Sequence, residues 1–354
     1  MTVNTSFWRG KRVLITGHTG FKGAWLSIWL EKMGAIPAGF SLTPSTNPNL
    51  FELTDLGKKI KSRIGDIRDF DVLKKFTEEF APEITFHMAA QSLVRQSYRE
   101  PIATYATNVM GTVHVLEALR TITSARVAVI VTSDKCYENK EWHWGYRESD
   151  PMGGHDPYSN SKGCAELVTS AYRRSFLTNI GLASARAGNV IGGGDWADDR
   201  LLPDCIRAFA KNETMKVRNP NSIRPWQHVL EPLSGYLMLA EKLWSDLKSY
   251  SQGWNFGPNT HDARSVSWVV DRAAAAWGHE ARWELLQTHL DQPHEANYLK
   301  LDSSLANSII GWKPRLSIDE SLDWAVTWYR RVLLGGEKAM DVTHEQIEQY
   351  QNPA

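Results

Sequence analysis

Tyr158 and Lys162, in Tyr158-Ser159-Asn160-Ser161-Lys162, stand four residues apart and share one face of any helix they lie on. A neighbouring ammonium and a cofactor's positive charge favour the phenolate, which turns a weak acid into a usable proton acceptor. By itself the pair recurs by chance in many helices. It gains force from Thr132-Ser133-Asp134-Lys135, which ends a strand-like run at the place where active sites of open α/β sheets gather. A third signature is Thr16-Gly17-His18-Thr19-Gly20-Phe21-Lys22-Gly23, between the first apolar run and the first helical pattern. Gly17, Gly20 and Gly23 there give the tight turn, close backbone approach and helix packing that seat a dinucleotide pyrophosphate on a helix N-terminus. The bland alternative is a tight β-to-α turn.

The elements that must position these residues alternate regularly. Lys11 to Thr16 reads as a buried strand, Phe21 to Met33 as a helix and Ala35 to Leu42 as a second strand. A third strand ends near Gly65, a helix covers Asp69 to Phe80, and Ile84 to Met88 is a fourth strand. Pro101 to Thr121 has helical spacing, Val127 to Thr132 is a fifth strand, Tyr158 to Phe176 a long helix and Gly181 to Arg186 a sixth strand. Such alternation implies right-handed crossovers and an α/β fold with a doubly wound parallel sheet of Rossmann type. After Gly192 the rhythm breaks into a Gly/Asp-rich loop, a helix near Leu201 to Lys211 and mixed short elements, as expected of a smaller C-terminal lobe. The expected division is a dinucleotide-binding domain over 1–190 and a substrate lobe over 191–354, with a segment near 229–260 returning to the first domain.

Composition narrows the function classes. The 354 residues suit about two domains. Lys and Arg number 40, as do Asp and Glu, which argues against bulk-charge binding to nucleic acid. Three cysteines, Cys136, Cys164 and Cys205, give neither a disulfide framework nor a zinc site, and His143 and His155 lack spaced partners, so no metal is expected. Neither a secretion signal nor a membrane span is legible, and a cytoplasmic location is expected.

Together TGHTGFKG, HMAAQS (87–92), TSDK (132–135), YSNSK and RAGNVIGGGDW (186–196) resemble the extended short-chain dehydrogenase/reductases that modify nucleotide sugars. The resemblance covers roughly residues 10–330. Within that family TSDKCYENKEW, GHDPYSNSK and RPWQHVLEP most resemble the branch that dehydrates CDP-linked glucose, an early step toward the deoxysugars of lipopolysaccharide O-antigens. The resemblance implies bound NAD and an internal redox cycle. Tyr158, assisted by Ser133 and Lys162, takes the sugar 4-hydroxyl proton as hydride leaves C4; the ketone acidifies C5, water departs from C6, and hydride returns to C6. Asp134 matches the acid for the departing 6-hydroxyl, a role that needs its carboxyl to keep a proton and hence a desolvated setting. Many hexose 4,6-dehydratases carry Asp-Glu at this spot with the Glu as C5 base, whereas this chain has Asp134-Lys135. Lys135 acts as a base only where burial or a nearby cation strips its proton; otherwise it stabilises the enolate, or is a plain strand-end lysine.

Further positions follow from the same match. Thr19 and Phe21 belong to the cofactor turn with its glycines, and Ala89, Ala90 and Gln91 to a second cofactor turn after the fourth strand. Asp66 and Ile67 are candidates for adenine, with a helix N-cap near Asp69 as the competing reading of Asp66. The second strand ends in Gly39-Phe40-Ser41-Leu42, without an acid or arginine to tell NAD from NADP. Gln91, Ser92 and Arg95 are candidates to face the sugar, and Asn189, Arg224 and the helix start at Leu202-Pro203 to hold the diphosphate. His87 reads as a packed strand residue. Trp25, Trp29, Trp324 and Trp328, at four-residue spacing, read as core or interface, whereas Trp196 and Trp226 are candidates to stack on a base. A homodimer or higher oligomer is expected, through Pro101 to Thr121 and Tyr158 to Phe176 pairing into a four-helix bundle. The alternatives are a dehydratase or 4-epimerase acting on a UDP- or dTDP-sugar and, from a different class, a catalytically idle dinucleotide-binding redox sensor. A 4-epimerase has no use for an acid at Asp134.

Overall fold

The computed structural model describes residues 2–278, 281–286 and 298–352. Strands β1 (Arg12–Thr16), β2 (Ile36–Ser41), β3 (Lys61–Ile64), β4 (Ile84–His87), β5 (Val127–Val131) and β6 (Gly181–Ala187) fall within a residue or so of the runs read from the sequence. After them come β7 (Asn189–Ile191), β8 (Thr214–Val217), β9 (Ile223–His228), β10 (Gly253–Phe256), β11 (Ala263–Ser265) and β12 (Arg282–Leu285). The main sheet has the order β3-β2-β1-β4-β5-β6-β10, with every neighbouring pair parallel. Its central strands are buried along their whole length, because helices cover both faces and each side chain needs an apolar partner. The β10 strand, Gly-Trp-Asn-Phe, carries too short a pattern to be read as sheet, yet Trp254 is fully buried. It is reached through the buried helix Leu230–Ser245.

The span 101–121, read as one helix, is a rod with a fault in it. Helix Pro101–Tyr105 passes through a π turn, Ala106–Met110, into helix Gly111–Leu119. The wider turn re-aims one residue: Asn108 Nδ2 donates to Gln91 O and to Ser161 Oγ, both at 2.9 Å. Helical spacing does not reveal such a turn.

The lobe carries a three-stranded sheet, β11-β9-β7, and a parallel pair, β12-β8, with helices Leu201–Ala210, Val266–Trp277 and Ile318–Leu333. One apolar cluster runs unbroken from β1 and the helix Phe21–Lys32 into these helices. Trp25, Trp29 and Trp328 are fully buried in it and Trp324 packs against it, so these indoles are core. Trp196 is core as well: its ring meets Trp328 and Tyr329 edge-on at 5.8 and 5.4 Å, which takes it out of base stacking. Among the described residues no helix is long and apolar enough to cross a membrane, no cluster of His, Cys, Asp and Glu could hold a metal, and the three cysteines are free thiols.

Candidate active site

At the carboxyl edge of the main sheet β5 releases the chain into a single 3₁₀ turn, Asp134–Cys136, whose first amides Ser133 helps to satisfy by accepting from Lys135 N at 3.2 Å. Opposite stands the long helix Pro157–Ser175. Asp156 starts it as a true N-cap, accepting from Ser159 N at 2.9 Å, and Pro157 supplies the preset first turn. That start fixes the rotation of the helix, so Tyr158 and Lys162 both face the strand ends.

The groups meet there under cover. Tyr158 shares a side-chain hydrogen bond with Ser133, and burial pushes its phenol up to about 12, with Ser133 and the nearby Arg200 opposing that rise. Ser133 Oγ donates to Asp134 Oδ1 at 2.9 Å. Asp134 is 1% exposed, and its Oδ2 has no hydrogen-bond partner among the described residues. Lys135 Nζ lies 3.9 Å from Asp134 Oδ1 with its side chain 28% exposed, so it reaches the cavity rather than the outer surface. Lys162 Nζ donates to Val131 O at 3.3 Å, and burial lowers its ammonium to about 8. These five line one cavity of about 960 Å³ between the sheet edge and the lobe.

Lys22 and Arg200, which the sequence reading left unremarked, also line this cavity. Burial, then repulsion by Lys162 and Arg200, lowers Lys22 to about 7. Arg200 donates to Asp195 Oδ2 at 2.9 Å and across the cleft to Ser92 Oγ at 3.1 Å. The signal for Lys22 was a lysine amid the glycine turn, a place that otherwise suits an apolar side chain.

The cofactor side fits a dinucleotide. Gly17 has φ +81°, and a Cβ on it would stand 2.7 Å from Ala89 N, while a Cβ on Gly23 would meet Gly17 O at 2.1 Å. Gly20 starts the helix Phe21–Lys32, and an added Cβ would meet only Gly17 O, at 3.4 Å, which leaves the approach to the helix N-terminus open. Phe21 closes this turn onto the lobe, lying 3.1 Å from where a Gly192 Cβ would be. Thr19 is committed elsewhere, its hydroxyl donating to Leu42 O at 2.8 Å and so tying down the end of β2. Asp66 accepts the Arg68 guanidinium at 2.6 to 3.1 Å, and Asp69 caps the following helix. The Ile67 side chain packs against Gly111, and its carbonyl meets His114 Nδ1 at 2.9 Å. Thr16 Oγ1 and Thr112 Oγ1 bracket His87, and burial lowers it to about 3, so it is the packed neutral strand residue expected.

On the substrate side the structure sorts the candidates. Ser92, Arg95, Asn189, Leu202, Arg224 and Trp226 line the cavity beside Ala90. Trp226 also anchors its indole to Arg264 O at 3.2 Å. Gln91 turns away from the cavity: its amide nitrogen donates to Leu93 O and Thr104 Oγ1, and its oxygen accepts from Leu93 N, so it braces its own loop. Arg218 holds Asp199 at 3.0 Å, and Arg95 approaches the same carboxylate at 3.9 Å.

The family model for GDP-mannose 4,6 dehydratase matches residues 14–324. The chain belongs to this family. It is 54% identical to the CDP-glucose 4,6-dehydratase of Salmonella typhimurium over 98% of both chains. With the dTDP-glucose 4,6-dehydratase of Haemophilus influenzae the identity is 23%, over 90% of this chain and 97% of that one. Among solved structures of the same fold, a Bacillus anthracis dTDP-glucose 4,6-dehydratase in complex with NAD superposes with a TM-score of 0.76 at 20% identity, covering 91% and 97% of the two chains. A Brucella ovis UDP-glucose 4-epimerase in complex with NAD gives 0.77 at 20% identity, over 90% and 98%. A dehydratase and an epimerase thus share the fold described here.

Proposed function

We propose that the chain is an NAD-dependent hydro-lyase that converts CDP-D-glucose to CDP-4-keto-6-deoxy-D-glucose and water. The observation that carries this reading is Asp134, a buried carboxyl beside the proton acceptor with one oxygen left without a partner among the described residues. A 4-epimerase has no step for that acid. The Salmonella relative supports the choice of CDP-glucose.

Bound NAD would supply the reversible hydride chemistry that links oxidation at sugar C4 with reduction at C6. The chain's own groups handle the protons. Tyr158, ionised by the Lys162 ammonium and the positive charge that bound NAD would add, takes the 4-hydroxyl proton while Ser133 holds the same oxygen, and Lys162 binds the cofactor ribose. Asp134 delivers a proton to the departing 6-hydroxyl, and Lys135, on the open side of the same turn, removes the C5 proton. Gly17, Gly20, Gly23 and the amide end of the helix Phe21–Lys32 hold the pyrophosphate of NAD, with Ala89 and Ala90 against it and Asp66 and Ile67 at the adenine end. Arg224, Asn189 and the helix start at Leu202 hold the substrate diphosphate, and Ser92 faces the sugar.

Residues 1–190 act as the NAD domain and 191–354 mainly as the nucleotide-sugar lobe, with the segment near 229–260 returning to the sheet. The enzyme works in the cytoplasm as a homodimer or higher oligomer, in deoxysugar synthesis for O-antigens. Ile102 (85% exposed), Met110 (48%) and Leu167 (61%), on the two helical segments expected to pair, support an apolar self-contact. Light scattering at micromolar concentration is expected to give at least a dimer; a monomer removes that part. A panel of CDP-, dTDP-, UDP- and GDP-glucose tests the activity: loss of one water from CDP-glucose in preference to the others is expected, and a C4 epimer of unchanged mass overturns it.

A further inference from the structure

Glu166 follows Lys162 by one helical turn as Lys162 follows Tyr158, so the three form one stripe of the long helix against the sheet. Its carboxylate is 5% exposed and accepts four hydrogen bonds. Thr132 Oγ1 donates at 2.5 Å, Ser184 Oγ at 2.6 Å, and Arg186 at 2.9 Å through Nε and 2.8 Å through Nη2. Arg186 is as deeply buried, and its Nη1 donates at 2.6 Å to the Tyr137 hydroxyl, which in turn donates to Asn255 Oδ1 at 2.8 Å. Desolvating two charges this far costs about as much as their attraction returns, so stability is a weak reason for the pair to exist.

Its placement supplies a better reason. Lys162 bonds Val131 O and Glu166 bonds Thr132 Oγ1, so two successive turns of the helix grip two successive residues at the end of β5. The next residue is Ser133. The groups facing Lys162 are Lys22 from the helix after the glycine turn, His87 from β4, Cys136 just past β5, and Tyr158 and Glu166 on its own helix. Asp134 faces Lys22, and Arg186 stands behind Glu166. Burial keeps His87 and Cys136 neutral near pH 7, and Tyr158 as well until a cofactor cation stands beside it, which leaves Glu166 as the anion beside Lys162.

We propose that Glu166 is a positioning residue of the active site, which fixes the exit of β5 before Ser133 and supplies the negative charge that keeps Lys162 an ammonium for the cofactor ribose. The inference rests on the reading of the site as an NAD enzyme, and not on which sugar nucleotide it takes. Glu166→Gln removes the charge at nearly constant shape and leaves the Arg186 cation uncompensated, so Lys162 loses its proton at lower pH. NAD titrated calorimetrically into nucleotide-free protein is expected to bind wild type and variant within about threefold of each other at pH 6. Toward alkaline pH the variant's affinity is expected to fall about one unit earlier than wild type, since a lost neighbouring charge moves a buried group by about that much.

Glu166→Asp, which keeps the charge, restores the wild-type pH profile. Thr132→Val keeps the charge but removes the grip on β5, so it lowers kcat on the sugar nucleotide without moving the NAD profile. Should Glu166→Gln fail to fold, the pair Glu166→Gln with Arg186→Met removes both charges, and its NAD profile is expected to move the same way by a smaller amount. An NAD profile that stays put in a folded variant overturns the proposal. Absence of turnover on CDP-glucose by wild type overturns the proposed function instead, and leaves the NAD result standing.

Discussion

The sheet side of the cavity holds Ser133, Asp134, Tyr158 and Lys162, each less than a tenth exposed, on a strand end and a capped helix. The lobe side holds Arg218 and Asp199, 31 and 35% exposed and paired with each other at 3.0 Å, and Arg200, 33% exposed and paired at 2.9 Å with the buried Asp195. A part-exposed pair such as Arg218–Asp199 contributes about 0 to 1 kcal/mol and exchanges partners readily. Groups that must act on developing charge are locked in place before substrate arrives, because reorganising them during the reaction would raise the barrier. The lobe's cations instead rest on carboxylates that a diphosphate can displace. Substitutions on the sheet side should therefore change turnover, and those on the lobe side should change affinity.

The largest effect is expected at Tyr158. Tyr158→Phe should lower kcat on the order of 10²- to 10⁴-fold with little change in KM, as loss of a general base does. Turnover like wild type's in that variant sinks the assignment and the contrast with it.

Lys135 stands at the boundary between the two sides. If it removes the C5 proton, Lys135→Met stops water loss and C5 solvent exchange while NADH absorbance builds up. If it only stabilises the enolate, exchange slows without vanishing, by about 2.7 to 4 kcal/mol of barrier. Solvent deuterium entering C5 at the wild-type rate eliminates both roles.

On the lobe side Arg224→Ala is expected to raise KM for the sugar nucleotide about 10- to 100-fold, the worth of charge-assisted hydrogen bonds, and to leave kcat within a few-fold. A fall in kcat as large as that of Tyr158→Phe would erase the distinction between the walls.

The smallest effect lies outside the cavity. Glu231 is fully buried and accepts from Arg315 N, Leu316 N and the Tyr350 hydroxyl, and burial pushes it up to about 7. Between the ordinary carboxylate range and 7 the folded chain binds more protons than the unfolded one, so stability falls as pH rises through that window. Thermal melts should give a higher Tm at pH 6 than at pH 8, and Glu231→Gln should remove most of that difference. An equal pH dependence in the variant shows that Glu231 is not its source.

What the sequence disclosed follows the same division. The sheet side was legible because its signals are local: apolar runs bounded by turns, glycines that a turn demands, and a tyrosine and lysine at helical spacing. Glu166 belongs to the same stripe but passed unnoticed, because a lone glutamate on a helix usually faces water, and its four hydrogen bonds come from Thr132, just past β5, and from β6. Arg200 became visible only when the lobe folded over the sheet edge, whereas Lys22 had its signal in the glycine turn. Gln91 shows the converse, a residue in the right place in the chain whose amide turns away to bond Leu93 and Thr104. Side-chain direction in loops is set by tertiary partners, and neither spacing nor resemblance encodes it.

The central claim is that these residues eliminate water from a sugar nucleotide while passing hydride from C4 to C6. Mass spectrometry of the product formed from CDP-glucose in deuterated water tests it directly. The account predicts a product lighter by one water and carrying a single deuterium, at C5, with the original C4 hydrogen recovered at C6. A product of unchanged mass epimerised at C4, or one that gains its C6 hydrogen from solvent, would contradict it.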